Sequence, residues 1–450
     1  MTDASAHWGD ESQVVDAVVR WAARRVVRPS DPKSTARPAS ELAAAAGRTV
    51  TPEGVGWQRA LTVFDEVLVP ATRAQDDPMN LAYIPSAPTR TAVAFDLATS
   101  AANIFAGIWE AGAGAIFAEN EALGWLVELL GWPGEAGGCF VSGGTIGNLS
   151  ALVAAREAAT ARRGSRPPHG WALACTGDAH SSVRGAARAL DVGVLGVEED
   201  SRGHLTGSAL RAVLEEHDNV FAVVASAGTT NTGVVDDLAD IADVCAEHEV
   251  WLHVDGAYGG AALAAPSVRH RFAGIERADS FIVDPHKWLF APFDCCALLY
   301  RDPRTARAAH SQHASYLDVV DREQPNPSDL ATHLTRRARG LPFWFSLATH
   351  GTDAYRDAVE HTLAVARQVA DGIRRRDHLR LVLEPELSVL LFERPGWDEQ
   401  RYVAWSRRLA LDGVLLCLPT RWEGRTVLRL AFVNPDTQPE RVLAALDTLR

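Results

Sequence analysis

The sequence predicts an α/β protein: a large, mostly parallel sheet with helices on both faces, followed by a smaller C-terminal α+β unit. Three observations carry that expectation. From about residue 90, short and continuously apolar runs alternate with amphipathic helical patterns, as strands buried on both faces require. After Tyr300 the alternation gives way to a polar stretch, a long helical pattern and short strands. The chain has 450 residues, more than one ordinary core holds, which calls for two sub-domains or one large domain with appendages.

The first seventy or so residues read as helical, with apolar positions at helical spacing over Val14–Val27 and Trp57–Val69. Between them Arg28–Ser40 is rich in Pro, Ser and charge and reads as a linker, and a Pro-rich loop spans Asp77–Thr89. Helical patterns cover Ala92–Phe105 and Glu119–Leu130. A short apolar run, Gly138–Val141, then leads through a Gly-rich turn into a helix over Ile146–Arg162. Downstream, strands are expected at Trp171–Cys175, Phe221–Ala225, Val250–Val254, Phe281–Val283 and Cys296–Tyr300, with helices at Ser181–Leu190 and Leu238–His248. The polar stretch His310–His333, with Pro325 and Pro327, reads as a long mobile loop. Beyond it come a helix at Asp353–Arg374 and short strands near Leu379–Leu383, Ser388–Phe392 and Val427–Phe432.

Composition narrows the function. The formal net charge of −13 offers no electrostatic footprint for nucleic acid or an anionic membrane. No apolar run approaches the roughly 18 residues of a membrane span, and the start Met1-Thr2-Asp3-Ala4 has no secretory pattern. The six cysteines are scattered without a CxxC pair, in apolar company, which reads as core packing in a reducing cytoplasm; no metal site is expected. Of the 44 basic side chains only Lys33 and Lys287 are lysines, leaving 42 arginines. Arginine does most surface work of lysine but does not release its proton near neutral pH. Lys33 sits in a Ser-Asp-Pro-Lys-Ser loop and is bland, whereas Lys287 closes Val283-Asp284-Pro285-His286-Lys287 beside Trp288, Leu289 and Phe290. Such apolar surroundings favour the neutral amine that forms a Schiff base.

Other segments add chemistry at predicted strand ends. Ser142-Gly143-Gly144-Thr145 leaves a strand and enters a helix, a phosphate cradle or a tight turn using glycine for geometry alone. Asp255 ends the strand Trp251-Leu252-His253-Val254-Asp255, where ligands bind in open α/β sheets; it suits a cationic ring nitrogen, or a plain cap or loop salt bridge. His253 shares its face, two residues back, without a third metal ligand nearby. His180, in Asp178-Ala179-His180-Ser181-Ser182, can stack on a planar ring, and Thr230, in Gly228-Thr229-Thr230-Asn231, supplies a hydroxyl. Together these are the parts that hold pyridoxal phosphate, whose carbonyl condenses with amines and whose ring withdraws electrons.

On these residues the chain resembles the group II pyridoxal-phosphate-dependent amino acid decarboxylases, the family of the aromatic-L-amino-acid decarboxylases. The resemblance runs from about Asp77 to the end, strongest in His253-Val254-Asp255-Gly256-Ala257-Tyr258 and Asp284-Pro285-His286-Lys287-Trp288. Further echoes are Leu81-Ala82-Tyr83-Ile84-Pro85, Arg336-Arg337-Ala338-Arg339-Gly340-Leu341 and Leu428-Arg429-Leu430. It implies a fold-type I (aspartate aminotransferase-like) homodimer with active sites at the subunit interface. The implied division is a helical segment 1–75 packing on the dimer partner, a cofactor-binding α/β domain 76–310, and a mobile loop with a small α+β domain, 311–450. By the same resemblance Lys287 forms the Schiff base, and His180 stacks on the ring and helps hold the substrate carboxylate. Asp255 keeps the ring nitrogen protonated, Ala257 packs on the other face, Gly144, Thr145 and His286 lie by the phosphate, and Thr230 approaches cofactor and substrate. The implied reaction is decarboxylation of an L-amino acid to its amine. Tyr83, Ile84, Pro85 and Trp109 suggest an aromatic or bulky apolar substrate, though Trp109 also reads as core.

Three departures stand out. The family's aromatic decarboxylases carry a proton-donating Tyr in the mobile loop, but residues 317–350 contain none; Pro327 stands near that place and Tyr316 is the local candidate. Loss of that hydroxyl accompanies oxidative decarboxylation to an aldehyde in related enzymes, which is the alternative reaction, beside other pyridoxal-phosphate lyase or transaminase chemistry. The substrate-side His-Pro of many relatives is Asp77-Pro78 here, and their acidic stretch is Ala113-Gly114-Ala115-Ile116-Phe117.

Overall fold

Six of the short apolar runs, with one further strand, pair into one sheet. The computed structural model describes Trp8, residues 10–311 and residues 323–450. Its strands are β1 (Gly137–Val141), β2 (Ala172–Cys175), β3 (Gly193–Gly196), β4 (Val220–Ser226), β5 (Trp251–Asp255), β6 (Ser280–Val283) and β7 (Cys296–Tyr300). They lie in the order β1-β7-β6-β5-β4-β2-β3. Neighbours from β6 to β3 run parallel, while β7 is antiparallel to both β6 and β1. All residues of β2, β4, β6 and β7 are buried, which is why these strands read as continuous apolar runs and not as alternating ones. The parallel strands deliver the loops after Cys175, Ser226, Asp255 and Val283 to a single edge of the sheet, so the chemistry-bearing segments meet there.

The C-terminal unit is a second, antiparallel sheet of β8 (Arg380–Leu381), β9 (Val389–Glu393), β10 (Leu418–Trp422) and β11 (Arg425–Ala431), ordered β10-β11-β9-β8. The expected long helix is present as Thr352–Arg374 and contributes Val365, Ala366, Val369 and Ile373 to the core of this sheet. The loop 77–89 forms neither helix nor strand, as expected, yet Met79 and Leu81 are fully buried in that same C-terminal core. Leu81 bonds Leu416 and Ala431 through the backbone, so the loop is sewn to the small sheet.

Several elements are absent from the sequence expectation. Helix Ala39–Ala46 begins at the end of the expected linker, and the helix expected from Glu119 starts ten residues earlier, at Trp109, with a kink at Gly112. Edge strand β3 is short, partly exposed and bracketed by glycines, so it carries little pattern. Helix Leu341–His350 opens Leu-Pro-Phe-Trp-Phe, a run with modest helix propensity; Pro fits its first turn, and packing on the helices Arg90–Ala102 and Trp109–Leu130 supplies the rest. The buried pair Arg336–Glu119 (2.7 Å) ties these parts together, with Glu119 also accepting from the Gly340 amide at 2.7 Å.

The stretch expected as a mobile loop also differs. Helix Pro303–His310 ends on its first residue, and from Asn326 to Ala331 the chain is buried. Asn326 Oδ1 accepts from the Trp109 amide (2.8 Å) and Tyr300 donates its hydroxyl to the Leu330 carbonyl (3.1 Å). The intervening residues, including Tyr316, lie outside the described ones.

Candidate active site

Lys287 sits in the short helix Pro285–Trp288 that follows β6. The sequence leads one to expect an apolar environment, but the amine meets a carboxylate: its Nζ stands 2.9 Å from Asp284 Oδ2, and Asp284 is almost wholly buried. Burial works against the charge on Lys287, yet Asp284, with Asp255 further off, outweighs it and raises the pKa of the amine. The apolar expectation fails because consecutive helix residues point in different directions. Trp288 turns into the core, stacks on Tyr258 (5.2 Å between centroids) and donates to Thr362 Oγ1 at 2.9 Å.

Asp255 ends β5 and is reached by neutral donors: Asn148 Nδ2 at 2.8 Å on Oδ2, and the Ala257 amide at 3.0 Å on Oδ1. Asn148 lies in the first turns of helix Gly144–Arg163, pressed onto the sheet because position 147 is glycine; a Cβ there would stand 2.8 Å from Ile282 Cγ2. Its other partners are Ser182 Oγ (2.9 Å, from Nδ2) and His253 Nε2 (2.8 Å, on Oδ1). His253, fully buried, holds Ser280 Oγ at 2.8 Å with Nδ1, and burial pushes its pKa down to about 4, against the pull of Asp255. His180, the N-cap of helix Ser181–Leu190, places Nδ1 2.7 Å from Ser182 Oγ. The same-face relation of His253 and Asp255 was legible in the strand period, and both indeed meet Asn148.

The glycine turn packs closely on the Lys287 pair. A Cβ on Gly144 would lie 3.3 Å from both Ala257 Cβ and Asp284 Oδ2, so the first turn approaches the Lys287 pair closely only because glycine is there. The first amides of that helix lack intrahelical acceptors and, with the helix dipole, suit an anion. Thr145 is exposed next to them. His286 is buried, bonds the Cys295 carbonyl through Nδ1 (2.7 Å) and has Nε2 3.8 Å from Asp284 Oδ2. Asp284 Oδ1 is buried without a hydrogen-bond partner among the described residues. A helix-end cradle, an amine, an acceptor carboxylate and an unpaired buried oxygen together fit pyridoxal phosphate.

Thr230 is exposed, and its carbonyl is held by the buried Arg429 of β11 through Nε (3.0 Å). Arg429 Nη1 also donates to the Tyr83 carbonyl at 2.6 Å, so one cation ties the Thr230 loop and the Tyr83 loop to the small sheet. Tyr83 takes a left-handed backbone (φ 56°), uncommon for its type, and leaves its side chain 70 % exposed. Pro85 is buried; the neighbouring Ser86 donates to the Ala291 carbonyl, next to the Lys287 helix. Trp109 is placed differently. It packs with Phe95, Ile104 and Trp344 on a satellite apolar cluster and takes no part in the polar network. Sequence reasoning missed Asn148, Ser182 and Asp284 as site residues. Each lies within a segment it had singled out, but only side-chain geometry shows what each touches.

Comparison with known proteins agrees with this geometry. Residues 45–394 match the family model described as the pyridoxal-dependent decarboxylase conserved domain. The aromatic-L-amino-acid decarboxylase of Bacillus atrophaeus is 31% identical over 82% of this chain and 79% of its own. The L-2,4-diaminobutyrate decarboxylase of Rhizobium meliloti (strain 1021) is likewise 31% identical, over 88% of this chain and 82% of its own. Among solved structures, the Oryza sativa TDC with PLP and tryptamine superposes with a TM-score of 0.88 at 25% identity, covering 100% of this chain and 97% of that one.

Proposed function

The chain belongs to the pyridoxal-dependent decarboxylase family, as a fold-type I, pyridoxal-phosphate-dependent amino acid decarboxylase, and from that premise we propose that its substrate is an aromatic or bulky apolar L-amino acid and its product the amine. The observation that carries the site assignment is the Lys287–Asp284 pair beside the open first turn at Gly144, with Asp255 bonded, among the described residues, by neutral donors alone.

Bound pyridoxal phosphate supplies a carbonyl that condenses with amines and a ring that takes up the electrons released with carbon dioxide. Lys287 supplies the amine, and Asp284 Oδ2 is the atom placed to hold the proton that Nζ gives up. Asp255 would accept the N–H of the protonated ring nitrogen; Ala257 and His180 would bracket the ring, with His180 also toward the substrate carboxylate. Gly144, Thr145 and His286 would hold the phosphate, and Thr230 would approach cofactor and substrate. Tyr83 and Pro85 would border the substrate side chain; Trp109, packed on the satellite cluster, is not part of this reading. Support for an aromatic substrate comes from the exposed Tyr83 side chain, whose carbonyl shares Arg429 with that of Thr230, and from the Bacillus and Oryza relatives. The diaminobutyrate relative makes a basic substrate the comparison to run.

The division into 1–75, 76–310 and 311–450 is part of the same proposal, as are a cytoplasmic location and a homodimer with active sites at its interface. No helix among the described residues is long and apolar enough to cross a membrane. Val15, Val18 and Val19 of helix Ser12–Val27, with Phe64, Leu68, Leu97 and Phe117, are exposed apolar side chains that a second copy would cover.

The test is to incubate purified holoenzyme with aromatic amino acids and 2,4-diaminobutyrate, assaying carbon dioxide, amine, aldehyde and peroxide together. Amine without peroxide from an aromatic amino acid is expected, and aldehyde with peroxide would replace the proposed product. Replacing Lys287→Ala is expected to remove the borohydride-sensitive cofactor absorbance and all turnover.

A further inference from the structure

Every polar hydrogen in the chain of contacts from Trp251 to His180 has one consistent place. The Asp255 carboxylate only accepts, so the Asn148 group 2.8 Å from its Oδ2 is Nδ2, whose second hydrogen goes to Ser182 Oγ. That fixes the Asn148 amide orientation and turns Oδ1 to His253 Nε2, 2.8 Å away, which must carry a proton. With His253 neutral, its Nδ1 accepts from the Ser280 hydroxyl (2.8 Å), whose oxygen in turn accepts from Trp251 Nε1 at 2.8 Å. His180 Nδ1 accepts the Ser182 amide at 3.2 Å and so carries no proton, which makes the Ser182 hydroxyl, 2.7 Å away, a donor to it as well. The proton of the His180 ring is therefore on Nε2.

We propose that Asn148 is a positioning residue that orders the two ring-facing groups together: it presents Asp255 with a donor and, through Ser182, fixes His180 with its proton on Nε2. His253, Ser280 and Trp251 act behind it by holding the amide in the one orientation that serves both groups. With the amide reversed, an oxygen would face the Asp255 carboxylate and His253 Nε2–H would lose its acceptor, leaving buried groups unpaired. Asn148 is 1 % exposed and every atom of its amide is used, so water cannot take over its part. His180 Nε2–H then stays available as a donor on the side away from Ser182, and Asp255 Oδ2 is committed to Asn148. The catalytic meaning rests on the proposed roles of Asp255 and His180; the direction of the hydrogen bonds does not.

The experiment uses holoenzyme labelled with 15N-histidine, with the His180 signals assigned by their loss in His180→Gln. Wild type is expected to show His180 protonated on Nε2 and unprotonated on Nδ1. Ser182→Ala, which spares the Asn148–Asp255 bond, is expected to mix the His180 tautomers and lower kcat more than it raises KM, with the cofactor spectrum unchanged. Asn148→Ala is expected to mix the tautomers as well, to shift the cofactor absorbance, and to weaken cofactor retention by about ten- to a hundredfold, the usual scale for a lost hydrogen bond to a charged group. A wild-type His180 protonated on Nδ1, or an unchanged tautomer in both variants, overturns the proposal whatever the activity. Should the tautomers behave as expected while neither the spectrum nor kcat moves, the ordering stands and the assignment of Asp255 and His180 to the ring fails.

Discussion

Two buried carboxylates of this protein have opposite company. Asp255, at the sheet edge, is bonded by an amide side chain and a backbone N–H, both neutral. Glu386, just before β9, meets His204 Nε2 and Arg202 Nη2 at 2.9 Å and Arg271 Nη1 at 3.3 Å, and also accepts from the Val235 amide. Its cations come from the large sheet's loops while it belongs to the small sheet, so its charge is spent fastening one unit to the other. Among the described residues Asp255 has no cation in direct contact, which leaves its charge for the ring nitrogen that the proposed function assigns to it. A carboxylate satisfied by its own protein is structural, and one held in place but not neutralised is ready for a ligand.

Asp255→Asn tests that contrast most strongly. Activity is expected to fall about a hundredfold or more, on the scale of losing a preorganised electrostatic contact. The thermal midpoint should fall less than in the Glu386 variant, since Asn is isosteric and keeps an oxygen toward Asn148, losing only the acceptor for the Ala257 amide. An unfolding midpoint that drops as far as in the Glu386 variant would erase the distinction. Glu386→Gln is expected to do the reverse, costing about 2–3 kcal/mol by leaving buried and half-buried cations short of a partner, with kcat within about twofold. Denaturant unfolding of the holoenzyme beside steady-state kinetics reads both.

The smallest effect concerns pH. His204 is pushed up to about 9 from its ordinary 6.5, chiefly by its bond to Glu386 and also by Asp200, with burial opposing. A pKa raised on folding means the contribution is complete below about pH 6.5 and is lost as pH climbs through 9. Stability on the order of 1–2 kcal/mol, allowing for solvent screening at Arg202 and Asp200, should therefore drain away between those limits. His204→Gln should flatten that slope, and an equally steep slope in the variant would remove His204 as its source.

Much of the large domain was legible because burial on both faces writes itself into sequence as short apolar runs. Ser181–Leu190 and Cys296–Tyr300 come out with their expected boundaries, and the other strands within a residue or so. Helix Leu341–His350 and strand β3 were not legible, since packing and edge position stabilise them more than any local pattern does.

The scarcity of lysine, the glycine turn and the two signature blocks are local facts, and the sequence alone determined from them the family, the cofactor and which segments gather at the sheet edge. Only the tertiary structure decided how those side chains meet. Lys287 was expected among apolar neighbours and lies on Asp284; Asn148, unremarked in its helix, joins Asp255, His253 and Ser182. The reason is physical: a strand or helix period sets which face a residue shares, but Lys287 meets Asp284, three residues back, only because the turn after β6 brings them together, and the partners of Asn148 come from segments about 30 to 110 residues away, brought there by packing the whole sheet.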